Sequence, residues 1–122
     1  MELEHKEITE QIIGAAFEVY RVLGYGFLER VYQRAMQVEL RARGLEAQLE
    51  PAIDVHYKGN LVGEYRADLL VNNVVIVELK TAKSYLPDDE PQLLNELKAT
   101  GIKVGFLVNF GRTKVEFKRM VF

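Results

Sequence analysis

The chain has 122 residues, 48% of them hydrophobic, with a net charge of -2 and a pI near 5.7. That is enough apolar material for a real core in one domain spanning residues 1–122, and the absence of cysteine excludes a disulfide scaffold and fits a reducing, cytoplasmic setting. The acidic balance argues against a generally adhesive nucleic-acid binder, no apolar run is long enough to span a membrane, and the charged start Met1–Glu7 has no signal-type apolar stretch behind it.

In chain order, Ile8, Ile12, Ala15, Ala16, Val19 and Leu23 recur at helical spacing and predict an amphipathic helix that Gly24 stops. Gly14-Ala15-Ala16 reads as a close-packing patch without chemistry. After the Gly24-Tyr25-Gly26 corner, a second helix is predicted from about Leu28 to Arg43, with Gly44 in the left-handed C-terminal position. Leu28, Val31, Tyr32, Ala35, Met36 and Leu40 form its apolar arc, with Arg30, Arg34, Gln37 and Arg41 opposite. Glu29 falls inside the arc on the first turn, where a carboxylate either favours the helix dipole or points into a cleft as a site acid. Glu39 reads as structural and the arginine stripe as a solvated face.

Two extended segments, Ala47–Tyr57 and Leu61–Val71, are joined by the turn Lys58-Gly59-Asn60, and Pro51 places the first at an edge or a bulge. Val74–Lys80 completes a three-stranded meander, within which His56 has no neighbour for a metal site. The loop Thr81–Asp88 leads to a helix over Glu90–Thr100, with Asp89 as N-cap, Pro91 in the first turn and Gln92 three residues after the cap. Leu93, Leu94, Leu97 and Ala99 would cover one sheet face. A buried strand over Ile102–Phe110 and an edge strand over Lys114–Phe122 close the order ααβββαββ, an α/β sandwich with a central mixed sheet flanked by helices. From Lys98 onward, six bases face the single acid Glu116.

The chemistry gathers in Tyr65–Lys80. Val75-Ile76-Val77 reads as a strand covered on both faces, yet Asp68 precedes it and Glu78 and Lys80 end it. Glu78 and Lys80 share one face and Leu79 takes the other. A two-residue Asn72-Asn73 turn would set Asp68 opposite Val77, whereas a three-residue loop Asn72–Val74, or a bulge, sets it opposite Glu78. The second register is expected.

Gly26-Phe27-Leu28-Glu29-Arg30-Val31-Tyr32 matches a GxxExxY signature, and Tyr65-Arg66-Ala67-Asp68-Leu69-Leu70, Ile76-Val77-Glu78-Leu79-Lys80 and Gln92-Leu93-Leu94-Asn95 follow in that family's order. The chain resembles the GxxExxY family, within the PD-(D/E)xK nuclease-like superfamily, over almost its whole length. The resemblance implies a restriction-endonuclease-like sandwich, with Asp68, Glu78 and the Leu79 carbonyl binding a divalent metal, Mg²⁺ or Mn²⁺, and Lys80 at the nucleophile. It also implies Glu29 as a further metal-side or water-orienting acid, and Gln92 as a hydrogen-bonding group near metal or substrate. Glu96 stands where related nucleases often carry a tyrosine, Asp89 where the family often carries histidine, and Pro91 replaces a small helix former.

Phosphodiester hydrolysis needs charge neutralised on phosphorus and a water made nucleophilic, which a hard cation on oxygen ligands supplies. A lysine beside it adds a fixed positive charge. One lysine cannot neutralise two or three acids, so the set favours a cation over a self-contained buried ion pair. Two functions follow. One is a metal-dependent nuclease acting on DNA or RNA, with Arg66, Lys83 and Lys98 drawing the backbone in; the other is a non-catalytic module that binds nucleic acid or protein. No membrane partner is expected, and a homodimer could embrace a duplex.

Overall fold

Two helices and a mixed sheet dominate the computed structural model, which describes residues 4–122. The charged start at Met1–Leu3 lies outside the described residues. Helix α1 (Lys6–Leu23) and helix α2 (Glu29–Ala42) agree with the periodicity, and Gly44 has the expected positive φ of 84° just beyond α2. The buried face of α2 is rotated from the expected arc, however. Leu28 and Val31 are 79% and 36% exposed, while Tyr32, Gln33, Met36 and Leu40 are buried. The stripe therefore runs Glu29, Gln33, Met36, Leu40, which brings Glu29 to the sheet side.

Both long extended segments are broken, so the simple meander is corrected. The first divides into β1 (Ala47–Leu49) and β2 (Ala52–Tyr57), the second into β3 (Asn60–Arg66) and β4 (Leu69–Val71). Glu50 takes a positive φ of 49° and Pro51 follows without an N–H, so the ladder cannot continue there. Strands β2 and β3 pair as a separate ribbon around Lys58-Gly59, both at positive φ as a two-residue hairpin turn requires. Strands β5 (Val75–Lys80), β6 (Val104–Phe110) and β7 (Val115–Val121) complete a five-stranded sheet of order β1-β4-β5-β6-β7. Only β5 and β6 run parallel; the crossover between them carries α3 (Glu90–Thr100). The fold is a mixed α/β sandwich, as expected.

Each sheet face has its own core, because alternate residues of β5 point opposite ways. Val75, Val77 and Leu79 pack under α1 and α2 with Ile12, Tyr32, Met36 and Phe110. Ile76 packs with Leu93 and Leu97 of α3, Leu107, and Ile53 from the ribbon. Gly105 lets α3 lie close to β6: a Cβ there would stand 2.9 Å from Leu93 Cδ1. Helix α3 has the expected bounds, with Asp89 in the N-cap position, but lacks the expected capping bond. Asp89 ends a short 3₁₀ turn, Pro87–Asp89, is itself helical and makes no side-chain cap bond. Gln92 is thus left free for the sheet. Among the described residues, no helix is long and apolar enough to cross a membrane.

Candidate active site

The connection between β4 and β5 is the three-residue loop Asn72–Val74, closed by the Val74 N–H on the Val71 carbonyl at 3.0 Å. Leu69 pairs with Val77, so one further step sets Asp68 opposite Glu78. The expected register is the observed one. Beyond Leu69 the chain turns away toward the ribbon, and Asp68 takes over: its Oδ2 accepts the Leu79 N–H at 2.7 Å. A strand residue's N–H and C=O point to the same neighbour, so the Leu79 carbonyl faces the Asp68 side as well.

Helix α2 reaches this corner through polar residues spaced one turn apart. Gln33 Nε2 donates to the Asp68 carbonyl at 3.1 Å, and Gln37 Nε2 to the Ala47 carbonyl at 2.9 Å. Gln37 was expected on the solvated side with the arginines and is instead a sheet anchor. Sequence reasoning passed over Gln33, although the run Glu29, Gln33, Gln37 at intervals of four was a readable signal. Glu29, one turn before Gln33, lies half-buried beside Asp68. Burial pushes its carboxyl up to about 7, with the Asp68 charge adding to the rise and the Lys80 charge opposing it.

Tyr32, last residue of the signature, explains its spacing. Its hydroxyl donates to the Gly24 carbonyl and accepts the Phe27 N–H at 3.4 Å, while its ring stacks on Phe110 at 4.4 Å. Gly26, at a φ of 114°, makes the turn between them. The tyrosine pins the corner from which α2 starts and so fixes where Glu29 emerges. Tyr32→Phe should keep the stacking yet lower unfolding stability by about 1 kcal/mol, read as a lower denaturant midpoint at unchanged slope.

From the other face, α3 supplies Gln92 and Glu96. Gln92 Nε2 lies 3.2 Å from Glu78 Oε2 and 3.4 Å from Glu96 Oε2. Glu78 and Glu96 are only 4% and 2% exposed. Burial pushes the Glu78 carboxyl up to about 11, helped by its contact with Glu96 and then by Asp68. Lys80, half-buried at the end of β5, shares the Glu78 face.

The structure therefore brings Glu29, Asp68, Glu78, Lys80 and Gln92 to one corner. It does not gather the basic residues there. Arg66 is exposed at the end of β3 with Nη1 on the Glu50 carbonyl at 3.1 Å, Lys83 is exposed in the loop after β5, and Lys98 lies on α3. Lys98 lines a groove of about 720 Å³ between the ribbon and α3, together with Tyr65, His56, Gln92 and Glu96. His56 is exposed on this ribbon.

The carboxylates at the corner and the Leu79 carbonyl offer oxygen, the ligand chemistry of a hard divalent cation. Among the described residues, no three histidine, cysteine, aspartate or glutamate side chains are closed around one point. Mg²⁺ needs no such cage, since it is commonly held by one or two carboxylates with water filling the remaining positions. The buried Glu96 Oε1, without any hydrogen-bond partner, also fits a corner with spare acceptor capacity.

The crystal structure of SSO0001 is similar, with a TM-score of 0.60 at 19% identity over 97% of this chain and 57% of that chain. The chain thus spans little more than half of that protein's length. An alkaline exonuclease (LHK-Exo) from Laribacter hongkongensis superposes with a TM-score of 0.49 at 15% identity, over 93% of this chain and 81% of the other. No curated protein matches the chain. A family model for the PD-(D/E)XK nuclease superfamily matches residues 6–120, and at that extent the chain belongs to the PD-(D/E)XK nuclease superfamily.

Proposed function

We propose that this protein is a metal-dependent nuclease of the GxxExxY type, hydrolysing phosphodiester bonds in DNA or RNA with residues 1–122 acting as one domain. The observation that carries the reading is the meeting of Asp68 and Glu78 across the β4–β5 register beside Lys80, with more carboxylates than one lysine can neutralise. Asp68, Glu78 and the Leu79 carbonyl would hold Mg²⁺ or Mn²⁺, which when bound polarises the phosphate and lowers the pKa of water. Lys80 steadies the charge developing on phosphorus. Glu29, poised near neutrality, orients the attacking water and takes its proton. Gln92 holds Glu78 in place through its amide. Arg66, Lys83 and Lys98, on three separate elements, attract the backbone from a distance. The cysteine-free composition supports a cytoplasmic setting.

Asp68→Asn tests the reading without disturbing the corner, because the amide oxygen still accepts the Leu79 N–H. The expected result is a loss of Mn²⁺ affinity of about 10-fold or more, loss of cleavage of single- and double-stranded substrates, and near-native stability. Metal binding by the wild type with no cleavage of any substrate would favour the second reading, a non-catalytic binding module. The observation on its side is acidic: Asp54 and Glu96 line the groove beside the corner, where a phosphate track needs positive charge.

A further inference from the structure

Strand β7 ends the main sheet as a long open edge. Among the described residues no strand pairs with its outer side, and it has 7 residues against 3 for β1 at the opposite edge. Its ladder to β6 runs from Val115 to Val121 without a register shift or a proline, so the backbone does nothing to blunt it. The same ladder shows which groups point outward. At one end the Gly111 N–H bonds the Lys114 carbonyl at 3.0 Å, and at the other the Phe122 N–H bonds the Lys103 carbonyl at 2.9 Å. Bonded pairs alternate along an antiparallel ladder, so the even-numbered residues from 114 to 122 bond inward to β6. The N–H and C=O groups of Val115, Phe117, Arg119 and Val121 are therefore turned away from the sheet.

The side chains along this edge are self-complementary. Phe117, 42% exposed, stands on the α1 side with Phe17 edge-on at 6.2 Å, and Phe17 is itself 52% exposed. Glu116 and Lys118 flank Phe117 on the α3 side. One Glu116 oxygen accepts the Tyr85 N–H at 2.8 Å, and the Lys118 ammonium lies 3.9 Å from Glu90.

We propose that β7 pairs antiparallel with β7 of a second copy of this chain, about a twofold axis through Phe117, joining two five-stranded sheets into one. This goes beyond the nuclease reading and does not depend on it. In that register Phe117 exchanges both backbone bonds with its counterpart, and Val115 does the same with Arg119 of the second copy. The Phe117 rings meet across the axis beside Phe17 of each copy, covering apolar surface that a single chain leaves to water. Glu116 falls opposite Lys118 of the second copy, twice by symmetry. Charge singles out this axis. An axis through Lys118 or Arg119 sets that residue against its own copy, and axes nearer the strand ends pair too few residues. Strand β5 lies two strands away from the new interface, so both Asp68–Glu78 corners stay open and the pairing can be tested apart from cleavage.

The test is sedimentation equilibrium of the full chain at micromolar concentrations and low salt. The wild type should show twice the chain mass of 14.0 kDa. Lys118→Glu and Glu116→Lys each set like charges opposite one another in both pairs and should weaken association by about 10–100-fold. Mixed in equal amounts, the two variants restore both pairs, and a heterodimer should form with near wild-type affinity. That recovery also shows that both variants fold. Hydrogen exchange gives a second reading: the Phe117 and Arg119 N–H groups should be protected in the wild type and fast in Lys118→Glu, while the Lys118-position N–H, bonded to β6, stays slow in both. A monomeric wild type would overturn the pairing, as would a dimer that neither variant weakens. Loss of the dimer in both variants without recovery on mixing would overturn the register, and assemblies larger than a dimer would overturn the closed twofold arrangement.

Discussion

Glu78→Gln is expected to raise the stability of the metal-free protein at pH 8 by about 1–3 kcal/mol, several degrees in melting temperature, while destroying metal binding. Glu78 is buried beside Glu96 and Asp68, and its folded-state carboxyl is pushed up to about 11. Below the ordinary carboxylate pKa both folded and unfolded chains hold the proton. Between there and 11 only the folded chain does, so stability falls as pH rises, by at most about 1.4 kcal/mol per pH unit for one group. Glu29, raised to about 7, adds to the same slope up to neutrality. A glutamine at position 78 removes the largest contribution and offers an amide to Glu96. With Mg²⁺ the order should reverse: the wild type gains about 4.1 kcal/mol at a concentration of a thousand times Kd, and the variant gains nothing. Thermal melts of both proteins at pH 5 and pH 8, with and without Mg²⁺, read all of these effects. A wild type that grows steadily more stable from pH 5 to pH 8 without metal would contradict the buried-acid account.

Lys80→Ala should lower metal-dependent cleavage by about 100-fold or more with fold and metal binding retained, since it removes the fixed positive charge nearest the reacting phosphate. The side chain is only half-buried, so the truncation leaves no sealed cavity. It carries a second signature. Lys80 holds the Glu29 carboxyl down against burial and Asp68, so its removal lets that group rise further above 7. If ionised Glu29 takes the proton of water, the acid limb of the pH–rate profile should move to higher pH in the variant. A cleavage rate within a few-fold of wild type would remove Lys80 from the chemistry.

The succession of helices and strands and the shared face of Glu78 and Lys80 were legible because they rest on strong local signals. Alternation in Val75–Lys80 assigned Glu78 and Lys80 to one face, and the observed ladder agrees. The choice between two hairpin registers was not decided by local propensity, since Asn72-Asn73 suits a two-residue turn; the three-residue loop is what puts Asp68 opposite Glu78. Helical periodicity placed α2 but misjudged its rotation. Leu28 and Val31 count as apolar in any scale, yet the sheet takes Gln33 and Gln37 because their amides satisfy the part-buried Asp68 and Ala47 carbonyls where β4 and β1 begin. The ribbon was legible as a hairpin, but its separation from the main sheet depends on Glu50-Pro51 and on Ile53 reaching Leu93 and Leu97, a tertiary preference. Gln92 and Glu96 were placed side by side by spacing alone, whereas the orphaned Oε1 of Glu96 could be seen only once α3 was docked.

The measurement closest to the central claim is a crystal soaked in Mn²⁺ and read by anomalous scattering. The account predicts a strong peak within coordination distance of Asp68, Glu78 and the Leu79 carbonyl. An empty corner at millimolar Mn²⁺, or a peak confined to surface acids elsewhere on the chain, would contradict it.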